Sequence, residues 1–200
     1  MFDDTYHTIA APAEGVYKEK GSKFLAFALP VSTEVAVKDH LARLRKDYFD
    51  ARHHCYAYIL GPYKDASRMN DDGEPSGTAG RPIHGQLLSK DLTDVLVVVV
   101  RYFGGIKLGV PGLINAYRTA TRDALDHATI IEKTIDCSYR LHFEYPLMND
   151  VMRLLKEYDA APRNQQYGMD CTLEFSVRQS LSVMAYDAFA LLRGVTIESI

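Results

Sequence analysis

The residues most suggestive of chemistry stand in one polar stretch, Asn70-Asp71-Asp72-Gly73-Glu74-Pro75-Ser76-Gly77-Thr78-Ala79-Gly80-Arg81-Pro82. Three clustered carboxylates, Asp71, Asp72 and Glu74, invite a divalent cation. The calcium-loop pattern fails, however: with Gly73 in the glycine position the loop would open on Arg68 and close on Ala79, and neither can act as the required ligand. Ser76 is no nucleophile at a strand-to-helix elbow either, because Gly73-Glu74-Pro75-Ser76-Gly77 has one residue too many before the serine. Small residues with Ser76, Gly77, Thr78, Gly80 and Arg81 suit a loop whose backbone approaches a partner closely, and equally a mobile surface loop.

A second cluster is Gly104-Gly105-Ile106-Lys107-Leu108-Gly109-Val110-Pro111-Gly112, between an apolar strand and a helix. Its amides could converge on an anion at a helix N-terminus, where orphan donors and the helix dipole favour negative charge. The phosphate-loop and dinucleotide fingerprints are both absent, since Val110-Pro111 follow Gly109 and the glycines are wrongly spaced. A tight turn alone would also explain these glycines. On the following helix Asn115, Arg118 and Arg122 recur at intervals of three and four, so they share one polar stripe. With Arg101 at the strand end and Lys107 in the loop, they form the best candidate for a local cationic surface, against the plainer reading of a solvated helix face. His53, His54 and Cys55 are consecutive on a strand, so they point to alternate faces and cannot jointly ligate one ion. A buried cysteine beside structural histidines is the favoured reading.

The elements that must position these residues follow from hydrophobic spacing. Gly21–Val31 reads as a strand, and Val37, Leu41, Leu44 and Tyr48 as one helix face after Ser32-Thr33. His53–Leu60 is a strand ended by Gly61-Pro62, and Lys64–Pro82 a long polar connection. A short helix is expected within Ile83–Leu92. Asp94–Phe103 is an apolar strand suited to a central place, and a helix runs from about Pro111 to His127. From Thr134 the pattern changes: alternating strands at 137–145 and 169–177, helices after Pro146 and over Ser180–Leu192, and strands at 160–167 and 195–200 give the order βαββαβ of a ferredoxin-like domain. Its polar strand faces carry no aromatic, which disfavours base stacking on that sheet. Two domains are expected, 1–133 and 134–200.

Composition bounds the remaining possibilities. With 200 residues, 47% hydrophobic and 24% charged, the chain is an ordinary globular protein, so fibrous and disordered classes are excluded. Its longest apolar run is Val95–Val100, so no membrane contact is expected; a cytoplasmic location with reduced Cys55, Cys137 and Cys171 is the expectation. The net charge of −3 falls entirely in residues 134–200, and any nucleic-acid contact must therefore be a local patch. Neither a metal nor a cofactor is implied by any motif.

Three segments together, Arg68–Ile83 with DGEPSGTAGRP, Asp94–Gly109 with RYFGGIKLG, and Gly112–Leu125, resemble the Impact family in its bacterial branch. Pro111 departs from the glycine expected before Gly112. The resemblance spans the chain and implies an α+β protein: an N-terminal domain similar to the second domain of ribosomal protein S5, then the ferredoxin-like domain. It implies a non-enzymatic, translation-associated regulator that binds RNA, the ribosome or a translation factor. Eukaryotic relatives bind a ribosome-associated kinase activator through an additional domain, so that partner is not carried over. The rival is an enzyme acting on a phosphorylated small molecule or nucleotide, because the fold is shared with small-molecule kinases. The candidate binding residues are Arg68, Ser76, Gly77, Thr78, Gly80, Arg81, Arg101, Gly104, Gly105, Lys107, Gly109, Asn115, Arg118 and Arg122. The oligomeric state is left open.

Overall fold

The computed structural model describes residues 4–200. In chain order its elements are β1 (Thr5–Ile9), β2 (Ala13–Glu19), β3 (Ser22–Pro30), α1 (Glu34–Asp47), β4 (His53–Leu60), β5 (Ala66–Asn70), α2 (Gly80–Ser89), β6 (Val95–Tyr102), α3 (Gly109–His127) and β7 (Ile130–Thr134). Then come β8 (Asp136–Glu144), α4 (Met148–Glu157), β9 (Arg163–Gln166), β10 (Asp170–Arg178), α5 (Ser182–Ala190) and β11 (Val195–Ser199). The chain clusters into two units, Tyr6–Lys133 and Thr134–Ile200, and Asp4 and Thr5 group with the second. The mixed α+β class is as expected.

The first unit is built on an antiparallel sheet in the order β2-β3-β6-β4-β5. β6 lies at its centre, and Val95 to Val100 are all fully buried, which explains why its sequence does not alternate. Val95, Val97 and Val99 meet Leu87 of α2 and Tyr117 of α3, whereas Leu96, Val98 and Val100 meet Val37, Leu41 and Leu44 of α1. Thr33 starts α1 by accepting from the Ala36 amide at 3.2 Å. The three-layer arrangement fixes α2 and α3 side by side on one face, and with them the loops that precede each.

Two edge strands depart from the sequence expectation. β2 and β5 flank the sheet, and β5 lies inside what reads as one long polar connection. β5 is largely exposed and has no apolar alternation; backbone pairing with β4 holds it, and pairing leaves no mark on side-chain pattern. In β2, Gly15 is the point of contact with α3. A Cβ there would stand 2.2 Å from the Ala124 amide nitrogen, and the Asp123 carboxylate accepts from the Val16 amide at 2.8 Å.

The second unit has sheet order β11-β8-β10-β9, every pairing antiparallel, which is the ferredoxin-like topology. Leu141, Leu173 and Phe175 pack under Val151 and Leu155 of α4 and Phe189 of α5. The opposite face satisfies itself: Arg140 and Glu174 are register partners joined at 2.7 Å, and Ser138 meets Ser176 at 2.8 Å.

Asp4 is buried in this unit. Its carboxylate accepts from the Ser180 hydroxyl at 2.6 Å and from Arg178 at 2.7 Å, and these bonds hold its pKa down from 3.8 to about 2. A carboxyl depressed in the folded state stabilises above its unfolded pKa, and the contribution disappears as pH falls through the folded value. Between about pH 4 and pH 2 the wild type is therefore expected to lose stability faster than Asp4→Asn, measured by urea unfolding at each pH. Parallel pH profiles would show that these bonds do not persist in solution.

Candidate functional site

The loop between β5 and α2 is organised by its first carboxylate. Asp71 accepts through one oxygen from the amides of Ala79 at 3.0 Å and Gly80 at 2.8 Å, and through the other from Gly77 at 2.8 Å. Burial works to raise this carboxyl, but the amides of Gly77, Gly80 and Ala79 outweigh it and leave it below its usual range. Asp71 thus caps α2 from a distance, which is why the helix begins at Gly80 rather than near Ile83. The two neighbouring carboxylates are also committed. Asp72 accepts from the His54 amide at 2.6 Å and pairs with Arg45, and Glu74 turns inward.

Glu74 is the anchor of the loop and was not legible in the sequence. Its Oε1 accepts from Arg101 Nη1 at 2.6 Å and from the Tyr117 hydroxyl at 2.8 Å, while His53 Nε2 lies 4.0 Å away. Glu74, Arg101 and Tyr117 are all more than nine-tenths buried. The Cys55 thiol, fully buried, is within reach of the Asp71 carbonyl at 3.0 Å and the Tyr117 hydroxyl at 3.3 Å. Burial pushes both Cys55 and Tyr117 upward, and Cys55 and Glu74 add to the rise at Tyr117. A sealed thiol raised in this way is a poor nucleophile, and the network joins β4, the loop, β6 and α3 as a clamp.

Two hollows flank this clamp, and the loop runs between them. One, of about 540 Å³, lies between α2 and α3 and is bordered by Gly77, Arg81, His84, Ile114 and Arg118. The other, of about 480 Å³, lies at the start of α3 and is bordered by Pro75, Arg101, Phe103, Lys107 and Leu113. Arg81, Lys107, Arg118 and Arg122 are exposed, and none forms an ion pair with a described residue. Arg122 stands one turn before Asp126, whose carboxylate is bound by Lys90 at 2.7 Å.

The sequence-derived residues divide accordingly. Ser76 and Gly77 sit at the loop tip, with Gly77 at φ +76°; Arg81, Lys107, Gly105 and Gly109 lie on the surface around the hollows; Asn115, Arg118 and Arg122 form the exposed stripe. Asn115 is partly engaged, donating to the Tyr17 hydroxyl at 3.5 Å. Arg68 is exposed on β5 and borders neither hollow. Three expectations need correction. Arg101 is no part of an exposed cationic surface, because it is buried against Glu74. Thr78 and Gly80 are buried too: the Thr78 hydroxyl donates to the Pro75 carbonyl at 2.6 Å, and a Cβ at Gly80 would meet the Asn70 backbone at 2.8 Å. Gly104 has a structural reason for being glycine, because it crosses the turn between β2 and β3. Pro111 falls in the first turn of α3, which starts two residues earlier than expected.

At Gly104 a Cβ would lie 1.9 Å from the Gly21 carbonyl carbon, a backbone atom that cannot swing aside. Gly104→Ala is expected to destabilise the protein by roughly 1–3 kcal/mol, the usual cost of overpacking, read as a lowered urea midpoint. An unchanged midpoint would mean that the turn slides away without cost.

Comparison with known proteins places this geometry in context. The Impact N-terminal domain matches residues 20–125, which hold both hollows. The IMPACT family member YigZ of Escherichia coli (strain K12) is 37% identical over 160 residues, covering 79% of this chain and 78% of that protein. The IMPACT family member YvyE of Bacillus subtilis (strain 168) is 32% identical over 175 residues, covering 88% of this chain and 81% of that protein. A crystal structure described as that of a hypothetical protein superposes with a TM-score of 0.75 at 31% identity, covering 98% of each chain. Among the described residues no helix is long and apolar enough to cross a membrane.

Proposed function

The chain belongs to the Impact family, and from that premise we propose that it is a non-enzymatic, translation-associated regulator that binds RNA of the translation apparatus through its first unit. The observation that carries this reading is the set of exposed cations around the Glu74–Gly80 loop: Arg81, Lys107, Arg118 and Arg122 project from two adjacent helix starts and one helix face, and of these Arg122 feels a nearby carboxylate, Asp126. Elsewhere in the same unit Lys64, Lys90, Arg43 and Arg45 are paired with carboxylates, whereas exposed Arg52 and Arg68 form no ion pair with a described residue and stand apart from the α3 stripe. Exposed cations without counter-charges are the groups that release counterions from a phosphate backbone, and that release supplies most sequence-independent affinity for nucleic acid. The clamp beneath them, Glu74–Arg101–Tyr117, ties the loop to β6 and α3, and Asp71 holds the Gly77 amide from within, so that exposed Ser76 is carried at the tip of a fixed loop. The ferredoxin-like unit is less suited, because Arg140 on its sheet face is paired with Glu174 and residues 134–200 carry the acidic excess of the chain.

The test is capture of the intact protein from a cell lysate, with and without ribonuclease, followed by sequencing of retained RNA and identification of retained proteins. Ribosomal or transfer RNA enriched over a tag-only control, and lost after ribonuclease, is the expected result. Retention of one translation factor that survives ribonuclease would replace RNA by a protein partner on the same face. Enrichment of neither would overturn the reading.

A further inference from the structure

The hollow at the start of α3 differs in kind from the groove between α2 and α3. Its walls include Leu108, Val110 and Leu113, and the Phe103 ring stands at its edge with 47% of its surface exposed. Exposed Arg52 and Lys107 sit on its border. The single carboxylate among its lining residues, Glu74, is already neutralised by Arg101. Arg101 itself borders the hollow from below the surface. Its guanidinium carbon lies 5.4 Å from the centre of the Phe24 ring and 5.6 Å from that of Phe103, and its Nε is buried without an acceptor. The first turn of α3, which brings its positive end here, carries no acidic side chain.

We propose that this hollow takes one unstacked nucleotide of single-stranded RNA, with the base against Phe103 and the apolar wall and the phosphate toward Lys107 and Arg52. A volume of about 480 Å³ lies within the range of small-ligand pockets, and a nucleotide needs the two surfaces found together here, a flat apolar one and a cationic one. Phe103 is a half-exposed aromatic ring with the Arg101 guanidinium over it, and bases splayed from a single strand stack on aromatic side chains and guanidinium planes. The excess of cations over free carboxylates opposes an acidic co-lining but favours a phosphate. The inference rests on the RNA reading given above and adds the place at which a base, rather than the backbone alone, is held.

The test uses the full-length chain and fluorescence anisotropy with a labelled single-stranded oligoribonucleotide of about ten nucleotides, the length scale of a small single-strand site. The same length of strand without bases serves as the second probe. Phe103→Ala is expected to bind the intact strand roughly 5- to 150-fold more weakly, the loss typical of one stacked base, with an unchanged salt slope, while Phe103→Tyr retains affinity. On the baseless strand Phe103→Ala and wild type should bind alike. Arg52→Ala should lower the salt slope by about 0.7 with the base preference intact. Salt-dependent binding by wild type with no effect of Phe103→Ala would overturn the nucleotide pocket and leave the RNA reading standing. No binding by wild type at low salt would overturn both. Displacement of the strand by a nucleoside monophosphate at concentrations near the strand's own dissociation constant would reassign the hollow to free nucleotides and overturn its assignment to RNA.

Discussion

Replacing Lys107, Arg118 and Arg122 together by alanine is expected to remove most of the affinity for RNA while leaving the fold intact. If each contacts one phosphate of a single strand, the slope of log affinity against log salt should fall by roughly 0.7 per residue, or about 2 for all three. The counterion term vanishes near 1 M salt, so at ~0.1 M the loss should be about 100-fold. The second unit carries the negative net charge of the chain, so nothing elsewhere compensates through the overall field. The folding control is favourable: α3 buries Leu113, Ala116, Tyr117, Ala120 and Ala124 on its other side, and alanine at exposed helical positions favours the helix. Binding to ribosomes or ribosomal RNA across a salt series, with circular dichroism alongside, measures both effects. Equal affinities and equal slopes for wild type and triple variant would reduce the stripe to a solvated helix face and remove the basis of the RNA reading.

Breaking the buried Glu74–Arg101 pair should cost far more stability than any surface change. Each partner is more than nine-tenths buried, so deleting either leaves a charge stranded in a poorly solvated place. Glu74→Ala or Arg101→Ala is expected to cost about 3–5 kcal/mol, a large share of a typical folding free energy of about 5–15 kcal/mol. Replacing both by methionine should recover much of the loss, because two buried charges then vanish together. Glu74 also ties the loop that carries Ser76 and Gly77 to β6 and α3, so Glu74→Ala should raise amide exchange across residues 71–79 even where the rest stays folded. Urea unfolding and hydrogen exchange read the two effects separately. A cost below about 1 kcal/mol for both single variants would show that the pair is open to water in solution.

Local chemistry made much of this protein legible before its structure. Strong alternation in β8 and β10 reports one buried face, and the unbroken apolar run of β6 reports two; both readings need only the residues of the strand itself. The same holds for the α3 stripe, where Asn115, Arg118 and Arg122 share a face because a helix repeats every 3.6 residues. The consecutive His53, His54 and Cys55 likewise excluded a shared metal through strand geometry alone. The bacterial Impact resemblance rested on three segments, and the matched domain and relatives bear it out.

What the tertiary structure decided has a common physical cause: the partners are remote in sequence. Glu74 meets Arg101 across 27 residues and Tyr117 across 43, so no periodicity could announce that a carboxylate in a polar stretch is buried. Arg101 reads as a surface cation until that carboxylate is placed beside it. Asp71 caps α2 from eight and nine residues away, outside the reach of any local capping rule, and thereby moves the helix start to Gly80. β5 exists because β4 offers it an edge of backbone donors and acceptors, to which side-chain pattern is blind. Gly104 looked like part of an anion cradle and is instead where two backbones cross, a close approach set by the turn at Gly21. Composition and spacing determined which surfaces could be charged or apolar; only the packing of β4, β6 and α3 decided which of those charges are neutralised inside and which are left facing water.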